Sequence, residues 1–199
     1  MMKSLMLINC IIVFCMPSGM LGAQSYMPDL CNSNDSIGLY NINIEINSYH
    51  FSGLLLLKKL NDSTIRLIMS SEMGPKLLDM VLLPSGFNVL FALPKLNHKR
   101  TLRTFYEDFG ALIGILTKKR HFIVENTPDV SCYTYDLKKR MKIIYIVDSL
   151  LHKLISGRFE QGKTVKFLFY YLFATGTTQI SSMKIEHQHF KMNISLYRI

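Results

Sequence analysis

The chain has 199 residues, 49% of them apolar and 19% charged, so it can bury a substantial core and is too apolar to be disordered. Lysine and arginine number 23 against 14 aspartates and glutamates, a net charge of +9. With 4 cysteines, 6 prolines and no tryptophan, disulfide-scaffold, collagen-like, coiled-coil and low-complexity classes are excluded. A multi-span membrane protein is excluded as well, because only one segment is long and apolar enough to interest a bilayer.

That segment is the N-terminus. Lys3 precedes the mostly apolar run Leu5 to Met16, and Pro17 to Ala23 follow, rich in small residues. A positive charge, a short apolar run and small residues are the layout of a secretory signal peptide. Residues 1–23 are therefore expected to be a signal peptide cut after Ala23, and the mature chain to be exported. A buried N-terminal helix or strand is the alternative. Cys15, preceded by Ile12-Val13-Phe14, is a candidate for lipidation, although Phe14 is bulky where a lipoprotein signal wants a small residue. Cys31 and Cys132 remain after cleavage. They either form one disulfide, which would be worth about 4 kcal/mol in the chain-entropy model for a loop of on the order of a hundred residues, or stay as two thiols.

Residues 24–37 are polar and turn-rich and read as a flexible leader; residues 38–199 read as one domain. Tyr40, Ile42, Ile44 and Ile46 alternate with Asn41, Asn43, Glu45 and Asn47, the period of a half-buried strand. Further strands are expected at Phe51–Lys58, Thr64–Ser70, Leu77–Leu83 and Phe87–Leu93, separated by turn residues such as Asn61-Asp62-Ser63 and Pro84-Ser85-Gly86. The period then changes. Leu102, Phe105, Phe109, Leu112, Ile113 and Leu116 form one apolar stripe, which predicts a helix of about five turns from about Leu96 to Thr117. Strands resume at His121–Glu125, Val130–Asp136, Lys142–Val147, Leu150–Phe159, Thr164–Phe173, Gln179–His187 and Phe190–Arg198. The expected fold class is mainly β (α+β): a half-open antiparallel β-barrel of about 11 strands closed by one long amphipathic helix.

Several strands are apolar on both faces, among them Leu54 to Leu57 and Val165 to Phe173. Such strands need cover on both sides. The helix can supply one cover. The other side then faces an interior filled by side chains or by a ligand.

Catalytic patterns are absent. The six histidines show no His-Glu-x-x-His spacing, and there is no nucleophile elbow, P-loop or dinucleotide fingerprint. Carboxylates are few and scattered. No metal site, catalytic residue or cofactor is expected, and His187 and His189 are read as surface residues. Lys118-Lys119-Arg120 and Lys138-Lys139-Arg140 are short basic runs at expected turns. They serve either solubility or attraction to anionic lipid headgroups or an acidic partner. Nucleic acid is not expected as a partner of an exported chain without a recognisable binding motif.

The order of elements resembles the lipoprotein-localisation carriers of Gram-negative envelopes, the LolA/LolB-like half-open barrels. The residues that carry the resemblance run from Phe51-Ser52-Gly53-Leu54 through Ile65-Arg66-Leu67 to Met73-Gly74-Pro75-Lys76-Leu77-Leu78-Asp79. Ile180–Ile185 with Glu186-His187, followed by the alternating Phe190–Leu196, is similar to the closing hairpin of that family. The layout is also similar to that of small uncharacterised envelope proteins of Bacteroidetes. The resemblance implies a non-enzymatic lipid or lipoprotein carrier or receptor in the periplasm, possessing an apolar cavity for acyl chains and an outer-membrane association if it is anchored. Met73 stands where the receptors expose an apolar loop residue ahead of a glycine, here Gly74, and Arg66 matches a cavity arginine by position. Leu55, Leu57, Phe105, Phe109, Phe167 and Phe169 are the candidate cavity-lining residues. The alternative is a structural or protein-interaction module with a filled core.

Overall fold

The computed structural model describes residues 37–199. The expected signal peptide, Cys15, Cys31 and all of the expected leader except Ile37 lie outside the described residues.

Five strands come first: β1 (Ile37–Ile46), β2 (Tyr49–Asn61), β3 (Thr64–Ser71), β4 (Lys76–Leu83) and β5 (Gly86–Ala92). The helix α1 (Lys99–Leu112) follows, then a 3₁₀ turn at Ile115–Thr117. Seven strands complete the chain: β6 (Phe122–Asn126), β7 (Val130–Asp136), β8 (Met141–Asp148), β9 (Lys153–Gln161), β10 (Thr164–Phe173), β11 (Ile180–His187) and β12 (Met192–Arg198). The expectation of about 11 strands is thus corrected to twelve among the described residues. Ile37 belongs to β1 and not to a leader, and Leu150 and Leu151 belong to the turn before β9 and not to the strand.

All twelve strands form one antiparallel sheet in the order β5-β4-β3-β2-β1-β12-β11-β10-β9-β8-β7-β6. Two meanders meet where β1 pairs with β12, with Ile42 opposite Leu196 and Ile44 opposite Ile194. Consecutive strands need only short turns. The one long crossing joins β5 to β6, and these are the two edges of the sheet. The chain must therefore pass from one edge to the other across a face, and α1 is that passage. The sheet does not close on itself, since β5 and β6 are not paired with each other.

Period-two alternation decides which side chains meet the helix. Tyr40, Ile42 and Ile44 on β1, Leu55 and Leu57 on β2, and Leu67 and Met69 on β3 are all buried in one core. From the other half come Phe159, Phe167, Phe169 and Tyr171, and from the helix Leu102, Phe105, Phe109 and Leu112. Phe159 and Phe167 stack at a centroid distance of 5.0 Å. Gly157 on β9 lies opposite Phe169, and a Cβ there would run into the Phe169 ring and the carbonyl oxygen of Ile144. The glycine makes room for the ring.

Strands that are apolar on both faces are covered on only one. Leu54, next to buried Leu55, is exposed, as are Leu39, Phe91 and Leu172. The interior expected on the second side is not there; the helix side is the interior.

The apolar stripe runs past the end of the helix. Ile113, Ile115 and Leu116 are buried, yet α1 ends at Leu112 because Gly114 takes a left-handed conformation (φ 71°) and turns the chain. The expected five-turn helix from Leu96 to Thr117 is corrected to 14 residues plus a 3₁₀ turn.

Candidate functional site

The last carbonyls of a helix have no partner within it. Here the sheet supplies two. Tyr145 on β8 donates its hydroxyl to the Ala111 carbonyl at 2.7 Å, and Tyr171 on β10 donates to the Leu112 carbonyl at 2.6 Å. Both phenols are buried, and burial pushes both well above the ordinary tyrosine range. On the other flank Tyr106 donates to the carbonyl of Leu83 at 2.9 Å, tying the helix to the end of β4. Burial pushes this phenol up to about 12.

A fourth tie is ionisable. Asp108 on α1 is buried, and its Oδ2 lies 3.0 Å from Nε2 of His187 on β11. The imidazole is itself held between the rings of Phe167 and Phe190, with centroids at 5.3 and 4.4 Å. His187 is therefore not the surface residue expected from its position two before His189. Burial pushes the Asp108 carboxyl up to about 6, against the opposing effect of His187.

Helix and sheet do not meet everywhere. Between them opens a cleft of about 670 Å³, inside the ~300–1,000 Å³ range of small-molecule sites. Its floor is apolar: Phe87 on β5, Tyr106 on α1, Leu116 beyond it, Leu137 and Met141 around the β7–β8 connection, and Phe159 on β9. Its rim is cationic. Lys99 and Arg103 come from the first turns of α1, Lys118 to Arg120 from the segment leading to β6, and Lys138 and Lys139 from the β7–β8 connection. Glu107 is the one acidic lining residue among the described residues. The two basic runs, far apart in sequence, are thus brought to one mouth.

The residues expected to line a cavity are elsewhere. Leu55, Leu57, Phe105, Phe109, Phe167 and Phe169 are all buried in the packed core, and none of them lines the cleft. The space between the middle of the helix and the sheet is filled by these side chains. Arg66 is not in the cleft either. It alternates with the buried Leu67 and so points away from the helix. There Nε and Nη2 donate to both carboxylate oxygens of Asp79 at 2.9 and 2.8 Å, and Lys76 Nζ adds a third bond at 2.8 Å. These bonds hold the Asp79 carboxyl below the usual carboxylate range. Met73 stands at the tip of the β3–β4 turn, 93% exposed, beside Gly74 at φ 95°. Cys132 is half-buried on β7. Among the described residues no three His, Cys, Asp or Glu side chains are grouped to hold a metal ion.

Tyr145, Tyr171, Asp108 and the floor residues Leu137 and Met141 were not legible as functional from sequence. For the cleft, the signal was the two basic triplets at turns; nothing in a linear sequence says that they face each other.

An open twelve-stranded antiparallel sheet carrying one crossing helix is a LolA-like fold. A LolA superfamily protein from Nitrosomonas europaea superposes with a TM-score of 0.57 over 87% of this chain and 88% of that one, at 10% identity. A DUF1329 family protein from Desulfovibrio piger gives a TM-score of 0.48 at 11% identity, covering 84% of this chain and 85% of that one. A domain named for outer membrane lipoprotein sorting, from Vibrio parahaemolyticus, gives 0.47 at 12% identity, covering 81% and 82%. No family model matches the sequence, and no curated protein does.

Proposed function

We propose that this chain is a non-enzymatic carrier or receptor that holds acyl chains of a lipid or lipoprotein in the Gram-negative cell envelope. The observation that carries the reading is the cleft: an apolar floor of the right size for a ligand, on the flank of the one helix that bridges an open sheet. Burying a methylene there contributes about 0.8 kcal/mol, so part of one acyl chain suffices for micromolar binding. The LolA-like fold and the export layout of residues 1–23 support the same reading. In it the sheet acts as a half-open barrel, the mature chain works in the periplasm, and lipidation at Cys15 would make it a membrane-held receptor. Longer chains enter as α1 tilts away from the sheet, and Met73 meets the bilayer at delivery.

One observation favours a second reading, a structural or protein-interaction module. The helix–sheet space is packed with Phe105, Phe109, Phe167 and Phe169, all buried in one core.

Native mass spectrometry of the full-length chain, secreted into an envelope and purified without detergent, separates the two. A retained acyl-chain mass supports the carrier. A bare mass that stays bare after incubation with fatty acid overturns it in favour of the module. The same spectrum reports whether Cys15 is acylated.

A further inference from the structure

We infer that the rim of the cleft is a binding site for an anionic headgroup, so that the ligand is an acyl chain carrying a phosphate or carboxylate head and not a neutral or zwitterionic one. The inference rests on the carrier reading for its apolar half and adds the headgroup class.

Three observations converge. The first is charge that is not spent. Of the rim cations, Arg103 pairs with Glu107 at 2.7 Å and Arg120 donates to the Leu116 carbonyl at 2.8 Å. Lys99, Lys118, Lys119, Lys138 and Lys139 make no ion pair with a carboxylate among the described residues, although Lys59, Lys76, Lys142 and Lys184 elsewhere on the chain each do. Solubility needs spread charge, not five unpaired ammonium groups around one mouth.

The second is backbone conformation. Lys119, Lys139 and the neighbouring Arg140 all sit at positive φ, 58°, 62° and 60°, a region that favours glycine. A side chain with a Cβ is strained in that region. The other left-handed corners among the described residues are held by Gly74, Gly114, Gly162 and Gly176 and by Asn47 and His152, none of them a lysine or arginine. Keeping a cation at these corners sacrifices stability for charge placed at the rim.

The third is the start of α1. The N-terminal end of a helix is the positive end of its dipole and favours acidic side chains. Here the first turn has none, His98 at the cap makes no side-chain hydrogen bond, and Lys99, Arg100 and Arg103 follow. The repulsion is relieved when an anion sits between Lys99, Lys118 and Lys138. The ligand is then read at two ends, with methylenes on Phe87, Leu116 and Phe159 and the head among the lysines. The desolvated floor beside them strengthens each contact relative to bulk water.

The test uses two single-chain probes of equal acyl length, below their micelle concentrations: lysophosphatidylglycerol and lysophosphatidylcholine. Binding to the full chain is measured by calorimetry at low and at physiological salt. The inference expects the anionic probe to bind about tenfold tighter or more, by a margin that shrinks with salt. The exposed pair Lys119→Glu with Lys138→Glu brings the two affinities within about threefold of each other, chiefly by weakening the anionic probe. A control of equal net charge, Lys58→Glu with Lys191→Glu, lies outside the cleft and keeps the preference. Equal affinities in the wild type, or a preference lost equally in the control, overturn the headgroup site while the carrier reading stands. Binding of neither probe overturns both.

Discussion

Nε2 of His187 and Oδ2 of Asp108 lie 3.0 Å apart in the packed interior, joining β11 to the C-terminal half of the crossing helix. The other carboxylate oxygen, Oδ1, has no hydrogen-bond partner among the described residues. Replacing His187 with alanine leaves a buried carboxyl without any partner, which costs about 2–4 kcal/mol. The cost is larger at pH 7 than at pH 4, because protonation relieves a carboxylate that has lost its histidine. Asp108→Asn isolates the ionisation. The native carboxyl titrates at about 6, above its ordinary 3.8, through burial, with Glu107 adding a smaller push in the same direction. A raised native value means that its stabilising contribution is full below about pH 4 and is lost as pH rises through about 6. Urea denaturation across this window should show the asparagine variant gaining on the wild type as pH rises. A gap independent of pH would mean that Asp108 is not titrating there.

Tyr145 and Tyr171 fasten the last turn of the same helix. Each hydroxyl donates to a carbonyl of the last turn, Tyr171 to Leu112 and Tyr145 to Ala111, which also accepts the Gly114 N–H at 3.1 Å. Tyr171→Phe keeps the ring and orphans the Leu112 oxygen, at a cost of about 1–3 kcal/mol. The effect should appear in local hydrogen exchange as faster opening of residues 109–117, with the β1–β12 centre of the sheet unchanged. Uniform acceleration across the sheet would instead place these bonds in the global core.

Much of this arrangement was legible in the linear sequence. Strand positions followed from alternation, as in Tyr40 to Ile46, and the crossing helix from the spacing of Leu102, Phe105 and Phe109. Its end was not. Ile113, Ile115 and Leu116 continue the apolar stripe, so only the left-handed turn at Gly114, a backbone property, separates helix from 3₁₀ turn. The double-sided leucine run at Leu54–Leu57 suggested an interior on each face, but the outer face of a sheet tolerates scattered exposed leucines. The Asp108–His187 pair joins residues 79 positions apart, and no local signal marks it. Basic triplets at two turns were visible; that one ahead of the edge strand β6 and the other between β7 and β8 meet at one mouth was not.

Gly157 tests how tightly the packed half of the core is specified. The Phe169 ring lies over this residue, and the Ile144 carbonyl oxygen is 2.7 Å from where a Cβ would stand. The backbone on β8 cannot yield as a flexible side chain can. Gly157→Ala should lower stability by about 1–3 kcal/mol. The double variant with Phe169→Leu should recover part of that loss. Independent, additive losses in the double-mutant cycle would mean that ring and glycine are not in contact.

Arg66 and Asp79 make the acid-sensitive pair on the outer face. Asp79 is held below its ordinary value chiefly by its bond to Arg66, with Lys76 assisting. A depressed native value contributes stability above about pH 4 that disappears as pH falls. Arg66→Met should therefore destabilise the chain at pH 7 and progressively less as pH falls through the depressed native value of Asp79, where the carboxyl protonates in the wild type too. Ligand affinity in the cleft should be unaffected, since Arg66 does not line it. A loss of acyl-chain binding in this variant would restore Arg66 to the cavity role suggested by its position in the strand.

Met73 offers the cleanest separation of fold from delivery. At 93% exposure it makes little contact with the rest of the chain, so Met73→Glu should leave stability within about 0.5 kcal/mol of the wild type. A thioether side chain beside a left-handed glycine is presented outward and can enter an apolar phase, while a glutamate cannot. If this loop meets the bilayer at delivery, the glutamate variant should take up lysophosphatidylglycerol normally but release it to phospholipid vesicles several-fold more slowly. Conservative Met73→Leu should restore the rate. Equal transfer by all three proteins would remove the β3–β4 turn from the delivery step and leave the cleft rim as the surface that meets the membrane.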